Sequence, residues 1–323
     1  MSSSLYPLLF QPTFHYRVWG GNKLKNFGKD ITEENTGESW EISTVPGFVS
    51  VVSNGVLKGK NLNDLITEYK DKLVGEKVYR QYGDQFPLLV KFLDAAAPLS
   101  VQVHPNDEYA KKNHNSFGKT EMWYILDTEP DSEVILGFEE GITPEIFSES
   151  IEKNTVESVL RKVYPKKEEV IFIPSGRVHA MGKGVSVVEI QQTSDVTYRI
   201  YDYDRIDKDG KKRELHIQQA KEVSDFSFIK QPFSPYDKSA KEAVLVKSDY
   251  FTVSRFILTE NKKLENLPQS FRIVICVEGN YSINGESFSV EITKGQSILL
   301  PAALKDIELK PKEKTILLEA HID

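Results

Sequence analysis

Short runs of apolar or alternating residues, each closed by Gly, Pro, Asn or Asp, recur along most of this chain. They constrain its fold more than any other feature. "PLLVKFL", "EMWYIL", "EEVIFIP", "VSVVEIQQ", "YFTVSRFIL", "RIVICVEG" and "TILLEAHI" are each too short to be a helix and are rich in strand-forming residues. Many short strands between turn signals predict a sandwich or barrel rather than a doubly wound sheet. No Gly-rich phosphate loop follows a strand, and no G-x-S-x-G elbow occurs. Helical spacing is confined to residues 61–83, to 142–165 (where Thr143 caps and Pro144 follows), and to a weaker stretch from Glu214 to Ser224.

One segment repeats. "KKEEVIFIPSGRVHA" (166–180) aligns with "TKGQSILLPAALKDI" (293–307), pairing Ile171 with Ile298 and Pro174 with Pro301. Beyond the proline the chemistry separates, with His179 in one copy and Asp306 in the other. The chain therefore reads as two related strand-rich halves, joined near the Pro-, Ser- and Lys-rich stretch 229–242. The boundaries expected are 1–235 for the first domain and 236–323 for the second. At 323 residues there is ample chain for two cores.

Polar residues inside the apolar runs are the candidates for chemistry. In "LSVQVHPND" (99–107) Gln102 and His104 alternate with Val101 and Val103, so both project from one face of a strand. Glu121 enters the apolar "EMWYIL", where an unpartnered carboxylate would cost several kcal/mol on burial. His179 follows a Pro–Gly corner that lifts it off a strand end. Two imidazoles, a carboxylate and an amide oxygen suit Zn²⁺, with Fe²⁺, Mn²⁺ or Co²⁺ as alternatives. The remaining histidines, His15, His114, His216 and His321, have no such partners close in sequence and read as surface or structural. The basic run Lys208–Arg213 reads as a solvated turn.

"PSGRVH" is similar to the second cupin motif, and Gln102-x-His104 followed by Glu121 is similar to a modified first one. More specifically, the chain resembles the type I phosphomannose isomerases of short bacterial form. The resemblance rests on "YRVWGG" (16–21), "GESWEIS" (37–43), "PLLVKFLDA" (87–95), "LSVQVHPND" (99–107), "GKTEMWYI" (118–125), "IPSGRVHA" (173–180) and "VEIQQTSDVTYRIYDYDR" (188–205). It implies a mainly β fold of two cupin-type jelly-roll β-barrels with a few peripheral helices. It also implies one Zn²⁺ per chain on Gln102, His104, Glu121 and His179, and interconversion of mannose 6-phosphate and fructose 6-phosphate through an enediol(ate). Arg199, Lys119 and Lys91 fall where the family places catalytic and substrate-binding groups, and Trp19 is a further candidate for the substrate cleft. Some branches carry His-Lys-Pro-Glu where this chain has Gly118-Lys119-Thr120-Glu121, so no role of that histidine transfers. The base that moves the proton is left open among a metal-bound water, Lys119, Lys91 and another group at the periphery of the metal site. The second half, with Asp306 at the ligand position, is expected to be metal-free. Competing readings are another cupin metalloenzyme and a sugar-phosphate sensor without turnover.

The bulk numbers are compatible with this. A net charge of −7 gives no reason to expect nucleic acid as a partner. No apolar stretch approaches the ~20 residues of a membrane span, and no signal peptide is visible. The single cysteine, Cys276, excludes an intrachain disulfide and reads as a buried, inert thiol. The cytoplasm is the expected compartment. Oligomeric state has no signature in the sequence.

Overall fold

The computed structural model describes residues 5–323. In the first part of the chain the strands are β1 (Leu8–Gln11), β2 (Thr13–Tyr16), β3 (Thr36–Ile42), β4 (Val51–Val52), β5 (Leu88–Asp94), β6 (Val101–Val103), β7 (Glu121–Thr128) and β8 (Val134–Phe138). They continue with β9 (Leu160–Val163), β10 (Val170–Ile173), β11 (His179–Met181), β12 (Val185–Gln192) and β13 (Tyr198–Tyr201). The remainder supplies β14 (Glu242–Lys247), β15 (Thr252–Leu258), β16 (Lys262–Lys263), β17 (Arg272–Glu278), β18 (Asn280–Gly285), β19 (Phe288–Thr293), β20 (Ser297–Leu300), β21 (Glu308–Pro311) and β22 (Thr315–His321).

These strands form four antiparallel sheets. A five-stranded sheet (β13-β6-β11-β8-β9) packs against a six-stranded one (β10-β7-β12-β5-β3-β2) through Leu93, Trp123, Ile125, Leu136, Ile171 and Met181. The opposite face of the six-stranded sheet, with Val90, Phe92, Tyr124 and Ile190, joins one core with Val253, Ile273, Leu299 and Leu318 of a seven-stranded sheet (β14-β15-β22-β17-β20-β1-β4). That sheet in turn covers a four-stranded one (β16-β21-β18-β19) through Phe256, Cys276, Ile283 and Leu309. The two middle sheets are thus covered on both faces, which is why most of their strands read as continuous hydrophobic runs and not as alternation.

The duplication seen in the sequence is repeated in the pairing. β10 and β12 flank β7, while β11 lies between β6 and β8. In the second half β20 and β22 flank β17, and β21 lies between β16 and β18. This is a jelly-roll layout carried out twice. Two strands cross over: β1 pairs with β20 and carries β4 on its other edge, so the seven-stranded sheet takes in strands from the far end of the chain.

The helices are shorter than their periodicity predicts. Residues 61–83 form α1 (Leu62–Tyr69), α2 (Asp71–Val74) and α3 (Glu76–Tyr82), broken where Lys70 and Gly75 have φ of 49° and 96°. The breaks free backbone groups for the second half: Phe271 N–H donates to Val74 O (3.0 Å) and Ala302 N–H to Leu73 O (3.0 Å). A helix not foreseen, α4 (Asp107–His114), follows β6 and is capped by Asn106, whose side chain accepts from Tyr109 N–H (2.9 Å). Within 142–165 the helix α5 (Pro144–Glu152) stops before Asn154, which takes φ 54°, and the remainder supplies β9 against β8. The third stretch is α6 (Ile217–Val223). Phe147 of α5 and Ala220 of α6 cover the outer face of the five-stranded sheet. Cys276 is fully buried, and burial pushes its thiol up to about 12. Among the described residues no helix is long and apolar enough to cross a membrane.

Candidate metal centre and substrate cleft

Val101 and Val103 of β6 face outward into the core under α5 and α6. Alternation therefore turns Ser100, Gln102 and His104 inward, toward the six-stranded sheet. Ala180 of β11 likewise lies in the outer core, leaving His179 inward. From the opposite sheet Trp123 and Ile125 point into the same space, and Glu121 shares their face. The polar residues that looked misplaced in apolar runs thus meet between two sheets.

The meeting is close. Ligand-type atoms of His104, Glu121 and His179 all lie within 4.8 Å of one another, and all three residues are buried. His179 Nε2 stands 3.1 Å from Glu121 Oε1, and His104 Nε2 stands 3.7 Å from Oε2. Each imidazole is oriented from behind. His104 Nδ1 lies 3.0 Å from Val196 O and His179 Nδ1 lies 2.9 Å from Arg177 O. A carbonyl can only accept, so the proton of each neutral ring sits on Nδ1 and both Nε2 lone pairs face the centre. Gln102 lies beside them, its amide 3.3 Å from His179 Nε2, and the register places it opposite His179 on β11. The two ends of that amide are interchangeable by rotation, so its oxygen can take the same place. Glu121 Oε1 faces His179 Nε2, whose lone pair has no proton to give, while Oε2 is met by the Lys119 ammonium. A buried carboxylate beside two inward lone pairs is a donor set that a divalent cation would satisfy.

Electrostatics keep the centre in ligand form. Burial opposes the Glu121 charge, but the adjacent Lys119 ammonium, the largest opposing influence, holds the carboxyl well below its ordinary range. Burial and the Lys119 ammonium push His104 well below the usual histidine value, keeping the ring neutral. Lys119 lies 3.0 Å from Glu121 Oε2 and 3.1 Å from His104 Nε2. Burial works against its ammonium too, yet Glu121 and Glu189 raise its pKa overall.

A cleft of about 390 Å³ opens beside this cluster, and Trp19, Lys91, Gln102, Lys119 and Arg199 all line it. The structure thus brings together every substrate-side residue named from the sequence. Across the six-stranded sheet the register sets Trp40, Lys91, Glu189 and Trp123 in one row. Lys91 Nζ contacts Glu189 Oε1 (3.0 Å) and sits 4.9 Å above the Trp40 ring, while Trp123 Nε1–H donates to Glu189 Oε2 (2.8 Å). On the facing sheet Arg199, Gln102 and His179 form a second row. The carboxylates nearest Arg199 in sequence are taken by others: Asp202 by Arg205 and Arg213, and Asp204 by Lys212. Trp19 is buried at the wall of the cleft, while Trp40 sits behind Lys91.

Sequence reasoning missed several lining residues. Glu189 interrupts the apolar "VSVVEIQQ" just as Glu121 interrupts "EMWYIL", and the same burial argument would have found it. Arg17 and Glu38 pair across β2 and β3 (2.6 and 3.1 Å), a contact with no local signature. Lys208–Lys212 form an exposed turn, as read from the sequence, whereas Arg213 at its end and His216 line the cleft. The segment after β13 folds back over the five-stranded sheet, and only that return makes them neighbours of Arg199. His15 packs between the Trp40 and Phe48 rings, and His114 lies 2.6 Å from Tyr198 OH.

Paired jelly rolls, with two histidines and a glutamate converging inside the first, define a cupin protein with a candidate metal centre. The comparisons with known proteins narrow the class. Residues 8–136 match the catalytic domain of type I phosphomannose isomerase, and residues 241–319 match the cupin domain of mannose-6-phosphate isomerase. The chain is 39% identical to the mannose-6-phosphate isomerase ManA of Bacillus subtilis, over 94% of this chain and 96% of that one. A crystal structure of the mannose 6-phosphate isomerase from Bacillus subtilis superposes with a TM-score of 0.87 at 35% identity, covering 98% of this chain and 99% of that one. A zinc-bound mannose 6-phosphate isomerase structure shares the fold at TM-score 0.77 and 17% identity, covering 98% and 99% of the two chains. The chain belongs to the type I phosphomannose isomerases.

Proposed function

We propose that this chain interconverts mannose 6-phosphate and fructose 6-phosphate, with one Zn²⁺ held by Gln102, His104, Glu121 and His179. The carrying observation is the convergence of His104, Glu121 and His179 beside Gln102 and Lys119, which line a cleft together with Lys91 and Arg199. The donor set, two imidazole nitrogens with carboxylate and amide oxygens, suits zinc. When bound, the cation would polarise the sugar carbonyl and lower the cost of charge on its oxygen.

The side chains carry out the remaining work. Aldose–ketose exchange needs an open-chain sugar, removal of a proton beside the carbonyl, and its return to the neighbouring carbon. Lys119 is held charged by Glu121 and Glu189, so it steadies an enediolate oxygen and does not act as base. Lys91 and Glu189, in contact on the wall facing Gln102, are then the groups to handle the proton, Glu189 accepting it and Lys91 balancing the charge. Arg199 is permanently charged and suited to an anionic group on the substrate. Trp19 closes the side of the cleft.

Catalysis falls in the first unit, residues 1–235, and residues 236–323 form the second, supporting unit. The partner is a small sugar phosphate, with no nucleic acid and no membrane, and the compartment is the cytoplasm. The net charge of −7 and a cleft lined by charged and polar side chains support a small polar partner over nucleic acid.

A coupled assay following fructose 6-phosphate from mannose 6-phosphate tests the proposal. Turnover should vanish on chelation and return with Zn²⁺. A folded, zinc-loaded sample without turnover would overturn it.

A further inference from the structure

β12 ends in two glutamines, Gln191 and Gln192, and the chain then crosses from the six-stranded sheet to β13 of the five-stranded one. The crossing passes beside the metal centre. Its far end touches a candidate ligand directly, because the Val196 carbonyl accepts from His104 Nδ1–H (3.0 Å). Yet residues 193–195 have open space on two sides. Asp195 lines the cleft, and Thr193, Ser194 and Asp195 line a second cavity of about 790 Å³. A wall between two cavities lacks the close packing that fixes a core segment, so hydrogen bonds have to hold it.

Gln191 supplies them. It is fully buried and stands opposite Glu121 in the register of β12 on β7. Its Nε2 donates to the carbonyl oxygens of Gln192 (2.7 Å) and Ser194 (2.8 Å). The Ser194 N–H donates to the same Gln192 carbonyl (2.8 Å), and the Val196 N–H to Ser194 Oγ (3.4 Å). Carbonyl oxygens only accept, so the amide has one orientation, with its NH₂ group toward the turn. That orientation leaves Oε1 buried without a donor among the described residues. Burying an acceptor in this way is unfavourable, so what accounts for a glutamine here is what its N–H groups hold. Gln192 braces the same strand end. Its N–H donates to Thr120 O (3.1 Å) and its Oε1 accepts from Thr120 N–H (2.9 Å), one residue from Glu121.

We propose that Gln191 is a positioning residue of the metal centre, clamping the 192–196 turn so that the Val196 carbonyl keeps His104 in its Nδ1–H tautomer with Nε2 toward Glu121. The inference rests on the zinc reading above. Glu121 stands on the six-stranded sheet and His104 at the end of β6 in the five-stranded one. Their separation therefore depends on how the connection between the sheets is held. One side chain, opposite Glu121, fixes the turn that lands on His104. Outer partners of this kind set the orientation and basicity of a ligating imidazole. His179 gives an internal contrast, because its Nδ1–H is held by Arg177 O (2.9 Å) on a different segment. Loss of the Gln191 amide loosens His104 and leaves His179 as it is.

The test compares the full chain with Gln191→Met, which keeps the length of the side chain and removes both N–H donors. Hydrogen exchange of the imidazole Nδ1–H groups is followed by ¹⁵N–¹H NMR, with and without zinc, and zinc affinity is measured by competition with a chelator. In Gln191→Met the His104 Nδ1–H should exchange about tenfold faster, the His179 Nδ1–H should keep its rate, and zinc affinity should fall about tenfold. Ser194→Ala, which removes only the contact to Val196 N–H, should show the same selectivity with a smaller loss. Unchanged His104 exchange and zinc affinity overturn the proposal. So does an equal acceleration at both histidines with a lowered Tm, which is the mark of general loosening. The unsubstituted chain decides the matter even where Gln191→Met does not fold. One opening of the turn releases both groups, so the Gln191 amide protons and the His104 Nδ1–H should exchange at one rate. Amide protons exchanging tenfold faster than the imidazole proton overturn the clamp. A chain that binds no zinc yet shows the contrast between His104 and His179 strikes only the metal reading and leaves the positioning role standing.

Discussion

Glu38 is buried beneath the cleft, and burial alone would raise its pKa, but Lys91, Arg17 and the Trp40 N–H lower it from 4.5 to about 2. The unfolded chain takes up that proton near the ordinary value, whereas the folded protein does so only near 2. The resulting stability is fully present above about pH 4.5 and is lost as pH falls toward 2. Its size is on the order of 3 kcal/mol. In Glu38→Gln the loss of unfolding free energy between pH 6 and pH 3, measured in urea, should shrink accordingly. A variant with the wild-type acid limb would show that Glu38 is not the group responsible. At the centre itself His104→Ala removes one inward lone pair while leaving the sheets intact. Zinc affinity should fall by about 100-fold or more, read by metal analysis after dialysis against a weak chelator. Metal retained at the wild-type level would remove His104 from the ligand set.

Lys70 sits in the break between α1 and α2 with φ 49° and ψ −128°, a conformation that suits glycine far better than a residue with a side chain. Periodicity predicts an uninterrupted helix there because Leu62, Leu65, Ile66, Tyr69 and Leu73 do fall on one face. Past the second break, at Gly75, hydrogen bonds from Phe271 and Ala302 take the carbonyls of Val74 and Leu73 that a continuing helix would have used. Lys70→Gly should relieve the strain and stabilise the protein by about 1 kcal/mol, seen as a higher urea midpoint with unchanged slope. A lower midpoint would mean that the left-handed backbone is not strained as argued. The same contest between local and distant partners ends α5 early. Residues 160–163 are spaced like a helix but find a strand partner in β8, so they join the sheet.

Val90, Phe92 and Ile190 of the first half share a core with Ile273, Leu299 and Leu318 of the second. β1 hydrogen-bonds to β20, and Lys29 reaches across to the carbonyl oxygen of Gly295 while pairing with Glu41 (2.7 Å). Buried apolar area common to both halves couples their unfolding. Calorimetry should show one transition, with the calorimetric and van't Hoff enthalpies equal. A chain ending at residue 242 should not fold, because it would expose the whole outer face of the six-stranded sheet. Two separated transitions, or a soluble truncate with native near-ultraviolet circular dichroism, would contradict that coupling. The metal centre lies on the other side of the same sheet, so the second half supports the site without touching it.

The strand-rich character, the paired halves and the convergence of His104, Glu121 and His179 are legible in the chain before it folds. Each has a local cause: turn residues at fixed places, a repeated motif, and polar side chains in runs where burial is costly. Gln102, His104, Glu121 and His179 were legible because a buried polar group must have a partner, and that requirement shows in a single chain. Which distant segments become neighbours emerges only once the chain is folded. Glu38 beside Arg17, Arg213 and His216 beside Arg199, the broken helix at Lys70 and the strand shared between the halves all depend on contacts that no local pattern encodes. Short-range propensities set the elements, and long-range burial set their lengths and partners.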